Sequence, residues 1–301
     1  MHEVFTAEEA IAMLLKHLRD LAETQGKKEV IDIALTVPSY FSMAQRQMLS
    51  DAVELAGMNL VTLVHENVAA ATMYGLDRKD ENATHTVLFV NMGSLDVEVA
   101  LVRYFMGSSK GEKKVEHIEV VAEAAEDSVG GRYFDVELVK LFAEAFNALP
   151  ERKGKEDVMK NPRIVNRLLK ESARYKEVLS ANKEAFVNIN EIADYVSLKM
   201  KLDRQTFEDK IAKYVDKAAG PIEKVLKKSG VTLDEIDQIE MLGGGIRVPA
   251  VQKIMQEKLS GRDMGQHMNG DEAMCFGTAF IAANSSAAFR VRSLLLNEFV
   301  D

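Results

Sequence analysis

Apolar residues recur along this chain at two spacings, and the way the spacings alternate predicts an α/β protein. Thr6-Ala7-Glu8-Glu9 has the form of a capping box opening an amphipathic helix, with Ile11, Leu14, Leu15, Leu18 and Leu21 on its apolar face. Residues 30–37 read as a buried strand ended by Pro38, and residues 42–57 as a helix capped by Ser42, supported by Gln45 and closed by Gly57. A strand over 58–64 and an alanine-rich helix over 66–75 follow, then a charged loop over 77–84. Residues 85–91 and 95–105 form a strand pair about a tight turn at Met92-Gly93-Ser94, with a third strand over 115–125.

Helices are predicted over 131–148 and 162–181, separated by a lysine-rich connection over 150–161 that reads as a solvated loop. Two short strands, 185–190 and 194–200, precede a helical stretch over 206–229 that breaks at Gly220-Pro221. The clearest small-molecule device is the strand–turn–helix over 236–259. Gly243-Gly244-Gly245 permits close approach to the main chain, and Pro249 suits the first position of a helix whose free N–H groups attract phosphate or sugar oxygens. A tight structural connection would carry the same glycines. Residues 271–283 read as a last helix whose Gly277 faces a close neighbour or a ligand, and 287–301 as a departing linker.

Composition narrows the field. The chain has 301 residues, a formal net charge of -9 and no basic aromatic stripe, so a nucleic-acid surface is not expected. No apolar run is long enough to span a membrane, and the first residues lack the pattern of a secretory signal. The single Cys275 excludes an intrachain disulfide and reads as a small core residue, while the six histidines show no metal-ligand spacing. Two sequons, at Asn82 and Asn284, would permit glycosylation in a secretory lumen.

Several stretches carry a resemblance. ALTVPSYF at 34–41, LVHENVAAATMYGLD at 63–77 and MLGGGIRVP at 241–249 resemble, in order, a lobe-one segment, the first connecting motif and the adenosine motif of the seventy-kilodalton heat-shock chaperones. Asp271-Glu272-Ala273 with Gly277 is similar to their second connecting helix. Asn161-Pro162-Arg163 and LLKESARYKEVLSAN at 168–182 are similar to the large glucose-regulated, hypoxia-up-regulated branch of the endoplasmic reticulum.

The resemblance implies an actin-like ATPase fold of two α/β lobes flanking a nucleotide cleft. It implies a partial nucleotide-binding domain over 1–286, with lobe one at 3–85 and in part at about 210–286, lobe two at about 86–210, and the linker after it. The fold is expected to be N-terminally incomplete, because the first phosphate-gripping hairpin of the family has no counterpart before Val87. The second is altered: Asn91 stands for a carboxylate that helps hold the magnesium hydration shell, Leu95 for a glycine, and Asp96 adds negative charge beside a polyanion. An ordinary antiparallel hairpin is the favoured reading of 87–102.

By the same resemblance Gly243, Gly244, Gly245, Arg247, Lys176, Ser180, Gly93 and Asp271 bind the nucleotide. Arg247 would lie against one adenine face, whereas its usual counterpart on the other face is Glu177. Glu66 matches a cleft carboxylate near the magnesium waters and is the one catalytic candidate; a helix-start acid favoured by the dipole is the alternative. No protein ligand to a metal is assigned. The implied cofactors are ATP and ADP, with magnesium in the family.

The implied function is nucleotide-switched protein folding, with nucleotide exchange on a partner seventy-kilodalton-type chaperone and client binding through regions outside this chain. The endoplasmic reticulum lumen is the implied location and the cytoplasm the alternative. A nucleotide-independent module that binds a chaperone partner is the second functional reading.

Overall fold

The computed structural model describes residues 4–77, 84–108, 114–270, 272–286 and 289–297. In chain order its elements are α1 (Ala7–Gly26), β1 (Asp32–Val37), α2 (Met43–Leu55), β2 (Asn59–His65), α3 (Glu66–Asp77), β3 (His85–Met92), β4 (Val97–Ser108) and β5 (Lys114–Glu126). Then come α4 (Gly131–Asn147), α5 (Pro162–Ala181), β6 (Glu184–Ala193), β7 (Val196–Asp203), α6 (Arg204–Ala218), α7 (Gly220–Ser229), β8 (Gln238–Leu242), α8 (Pro249–Lys258), α9 (Ala273–Ser285) and β9 (Leu294–Asn297).

Local chemistry explains the boundaries. Thr6 with Glu9 and Ser42 with Gln45 both close reciprocal capping boxes, so the starts of α1 and α2 are fixed by side chains within one turn. Asn161 caps α5, and Pro162 opens it where a missing N–H is harmless. In the β6–β7 hairpin Asp194 and Tyr195 both take positive φ, the geometry of a two-residue turn between twisted strands.

The main sheet has the order β8-β3-β4-β5-β9, with β4 antiparallel to both β3 and β5 and the outer strands parallel to their neighbours. Its two faces follow the period of two. Leu88, Val90 and Met92 of β3 and Val97, Val99 and Leu101 of β4 face a large core that includes Phe134, Phe142, Leu168, Phe207 and Val251 from the surrounding helices. Val87 and Phe89 of β3, with Ala100, Val102 and Tyr104 of β4, face a second core that includes Val68 to Ala71 of α3. Helix α9 lies against α3 so closely that a Cβ at Gly277 would stand 1.8 Å from the Ala69 carbonyl oxygen, which accounts for the glycine.

Some expectations are corrected. The sequence leads one to expect a single sheet over 30–37, 58–64 and 85–105; instead, among the described residues, β1 and β2 pair in parallel as a sheet of their own and do not join β3 to β5. Most of β1 is half-buried at best: Ile33 and Leu35 pack on a small core centred on Ala12, Leu15, Val53, Ala56 and Met58, while the strand also borders a cavity shared with α9. Of the five residues expected on the apolar α1 face, only Leu15 is buried; Leu14 stays 57% exposed, and Ile11, Leu18 and Leu21 are exposed too. Cys275 lies on an exposed face of α9 rather than in a core. Part of the expected linker returns as β9, with Leu294 buried beside β5. Within the lysine-rich connection Arg152 is buried, stacked over Phe146 and paired with Asp194.

Candidate nucleotide cleft

The site begins with the β3–β4 turn. Gly93 donates its N–H to the Asp96 carbonyl at 3.1 Å, and the turn then presents its own carbonyls to the start of α4. Gly131 N–H donates to Gly93 O at 3.1 Å and Arg132 N–H to Ser94 O at 2.8 Å. Two of the four N–H groups that a helix start leaves without partners are therefore taken by the protein. Gly130 permits the approach, since a Cβ there would meet Ser94 O at 2.4 Å.

The glycine turn after β8 packs on the same hairpin. Gly243 takes φ +81, and a Cβ would stand 2.3 Å from Met92 O; at Gly245 it would stand 2.6 Å from Met92 Cγ. A Cβ on Gly244 would meet nothing within 4 Å, so this glycine borders open space. Residues Gly244–Arg247 then make a short 3₁₀ turn leading into α8. Close packing on the hairpin thus accounts for Gly243 and Gly245, whereas Gly244 is the glycine a ligand could approach.

Helix α5 supplies the third wall. Lys176 Nζ pairs with Asp135 Oδ1 at 2.8 Å and donates to Gly131 O at 3.0 Å, tying α5 to the first turn of α4. Burial raises the Asp135 pKa despite the opposing Lys176 contact. Ser180 Oγ donates back to Lys176 O at 2.9 Å.

Gly93, Ser94, Gly131, Lys176, Glu177, Ser180, Gly244, Gly245, Arg247 and neighbours enclose a cleft of about 630 Å³. That falls within the roughly 300–1,000 Å³ of small-molecule sites. Arg247 is exposed at its edge and has no hydrogen bond or ion pair among the described residues. Six of the expected binding residues thus meet around one space; Gly243 lies behind it, Glu66 does not line it, and Asp271 lies outside the described residues. The Lys176–Asp135 tether was missed from sequence, although Gly130-Gly131 ahead of a helix was a signal of close approach.

Glu66 opens α3 and accepts a hydrogen bond from Asn91 Nδ2 at 2.9 Å. Its pKa is raised by burial and then by the Asp96 charge, against the Asn91 contact. Asp96 accepts from the Tyr40 hydroxyl at 2.7 Å, and burial followed by that contact raises the tyrosine pKa. Glu98, at 0% exposure, accepts from Ser39 N–H at 3.0 Å through Oε1, while Oε2 has no partner among the described residues. Burial, with Glu66 and Asp96 nearby, pushes its pKa up to about 9, so it is protonated at neutral pH.

This cluster does not fit the magnesium of the resembled family. Asn91 spends its amide donor on Glu66, Glu98 is sealed from solvent, and no group of three ligating side chains is arranged for a metal among the described residues.

Comparison with known proteins settles the family. The model of the family "Hsp70 protein" matches residues 1–301. The chain belongs to the Hsp70 family. It is 33% identical over 300 residues to "Hypoxia up-regulated protein 1" of Mus musculus, covering 98% of this chain and 30% of that protein. To the Xenopus laevis protein of the same name it is 32% identical over 296 residues, covering 98% and 46% respectively. "Heat shock 70 kDa protein 17" of Arabidopsis thaliana is 34% identical over 295 residues, covering 97% and 34%. The chain therefore spans between 30% and 46% of the length of these curated relatives. With family membership, the mixed sheet and its flanking helices are those of the actin-like ATPase fold. No helix among the described residues is long and apolar enough to cross a membrane.

Proposed function

We propose that this chain is a nucleotide-binding part of a large heat-shock-type chaperone and that it takes the adenosine portion of ATP or ADP as a conformational switch. The observation that carries the reading is the cleft where Arg247, with its guanidinium unpaired among the described residues, borders the open edge of Gly244 and the α5 positions Lys176 and Ser180. Arg247 would stack on one base face, and Gly244 would let ribose or phosphate approach the main chain. Exchange of nucleotide on a partner seventy-kilodalton-type chaperone, and client binding by regions beyond these residues, extend the reading. The endoplasmic reticulum lumen is the compartment it favours, the cytoplasm being the alternative; a glycosidase-sensitive mass shift at Asn82 or Asn284 in cell-derived protein would decide.

Phosphate recognition is the weak side. The α4 N–H groups nearest the cleft serve the hairpin, and Asp96 with Glu66 opposes a polyanion. ATP hydrolysis above background is therefore not expected.

Titration of ATP and ADP, with and without magnesium, tests this reading. ADP should bind weakly, Arg247→Ala should abolish binding, and Leu95→Gly should help ATP more than ADP. A preference for ATP of about tenfold, near 1.4 kcal/mol, would overturn it, because γ-phosphate contacts would then be required. The hairpin seated on α4 favours one second reading, a nucleotide-independent module that binds a chaperone partner. Absence of binding of either nucleotide, with retained capture of that partner, would support it.

A further inference from the structure

The residues that join α8 to α9 run along the outer edge of β8. Gly265 N–H donates to Ile239 O at 2.8 Å and Met241 N–H donates to Gly265 O at 2.9 Å, so the segment adds one parallel bridge to the main sheet. Beneath it lies Glu240, a carboxylate with 0% exposure in the middle of β8. Its Oε1 accepts from His267 Nδ1 at 2.7 Å and from the Gln238 amide, and its Oε2 accepts from His267 N–H at 3.2 Å. Among the described residues His267 is the only cationic partner Glu240 has, and the imidazole itself is 67% exposed. A side chain at Gly265 would collide with both members of the pair, at 2.7 Å from His267 Nδ1 and 2.8 Å from Glu240 Oε1.

The same segment reaches the glycine turn that lies behind the cleft. Gly270 lies so near the glycine turn that a Cβ on it would stand 3.5 Å from Gly243 N. Just before it the Asn269 carbonyl accepts the N–H groups of Glu272 and Ala273, which starts α9.

We propose that His267 and Glu240 form a proton-dependent latch that holds residues 262–270 on the edge of the sheet and so seats the glycine turn of the cleft, making His267 a positioning residue.

The reason is the asymmetry of the pair. A fully buried carboxylate is tolerated when a cation and hydrogen bonds compensate it, and is costly once the cation is gone. The imidazole can lose its Nε2 proton to water while keeping the Nδ1 contact. What disappears is the charge that balances Glu240, and opening of the segment is the way for the carboxylate to regain water. The Glu240 hydrogen bond and then its charge raise the His267 pKa, with Asp263 adding to the effect. The latch is therefore complete below the unfolded imidazole value of about 6.5 and is lost as pH rises through the raised value. Gln238 connects the pair to Tyr74 on α3, whose hydroxyl lies 3.0 Å from His85 Nε2, and His85 Nδ1 lies 3.6 Å from Asp237 Oδ2. His85 is thus a second imidazole on the same network, and H85Q is the control.

The test follows amide exchange and amide resonances in the intact chain from pH 5.5 to 8.5. After correction for intrinsic exchange, protection of Gly265 and Met241 should fall by about tenfold or more as pH rises. Gly243 and Gly270 resonances should titrate with the same midpoint. H267Q should hold the high-pH behaviour at every pH, E240Q should be flat and protected, and H85Q should keep the native midpoint. If H267Q still titrates, or Gly243 does not move with Gly265, the proposal fails; should E240Q not fold, H267Q alone decides. ADP affinity falling over the same interval is a second readout, which rests on the nucleotide reading; if ADP does not bind at all, that reading fails while the exchange data still decide the latch.

Discussion

Strands β1 and β3 look alike in sequence, DIALTV against HTVLFVNM, yet they occupy opposite extremes of burial. Strand β3 sits inside the five-stranded sheet with a core on each face and only His85 partly exposed. In β1 only Val37 is buried, and among the described residues its sheet ends after one further strand. An apolar strand announces that it will pair; it does not say how many layers will cover it. Stability should therefore be concentrated in the main sheet, with β1, β2, α1 and α2 forming a looser unit.

The largest expected effect contrasts one leucine in each unit. Leu88→Ala removes a side chain sealed in the large core and should cost about 2–5 kcal/mol, whereas Leu35→Ala, half-buried over the small one, should cost under about 1.5. Denaturant unfolding monitored in both variants checks this, and equal costs would break the comparison.

Ser39 N–H bonds to Glu98, so the two units also meet at a titrating group. Because the folded Glu98 pKa is raised to about 9, its contribution to stability is complete below the ordinary glutamate value and is lost as pH rises toward 9. Melting temperature should fall toward that pH, and Glu98→Gln should flatten the fall. A native alkaline slope in Glu98→Gln would assign the effect elsewhere.

The smallest effect belongs to the α1 surface. Leu18→Lys should change unfolding free energy by no more than about 0.5 kcal/mol, since the side chain is already exposed. It should nevertheless reduce self-association in light scattering, because the exposed apolar band of α1 is shortened.

How much of this was legible depended on distance along the chain. The capping boxes at Thr6 and Ser42, Pro162 at the start of α5 and the break at Gly220-Pro221 act within one turn, and the sequence states them directly. Partners far apart were not legible. Nothing near Asp32 says that, among the described residues, β1 pairs only with β2, and nothing near Leu294 says that it will lie against Glu116. Exposure of Cys275 escaped for the same reason, since an apolar helix reads as buried until its neighbours are known. In the cleft, residue types pointed to Arg247 and the glycines, but not to the hairpin that Gly243 and Gly245 rest on or to the Asp135 that holds Lys176.

The crossing of α3 and α9 also bears on how this gene can vary. Every amino acid except glycine carries a Cβ, so every missense change in the Gly277 codon places an atom where the Ala69 carbonyl already is. Selection there has no graded series of substitutes to work through. Drift at this codon is confined to its third base, while at the exposed positions Phe276 and Cys275, one and two residues before it, side chains of many sizes point away from that crossing.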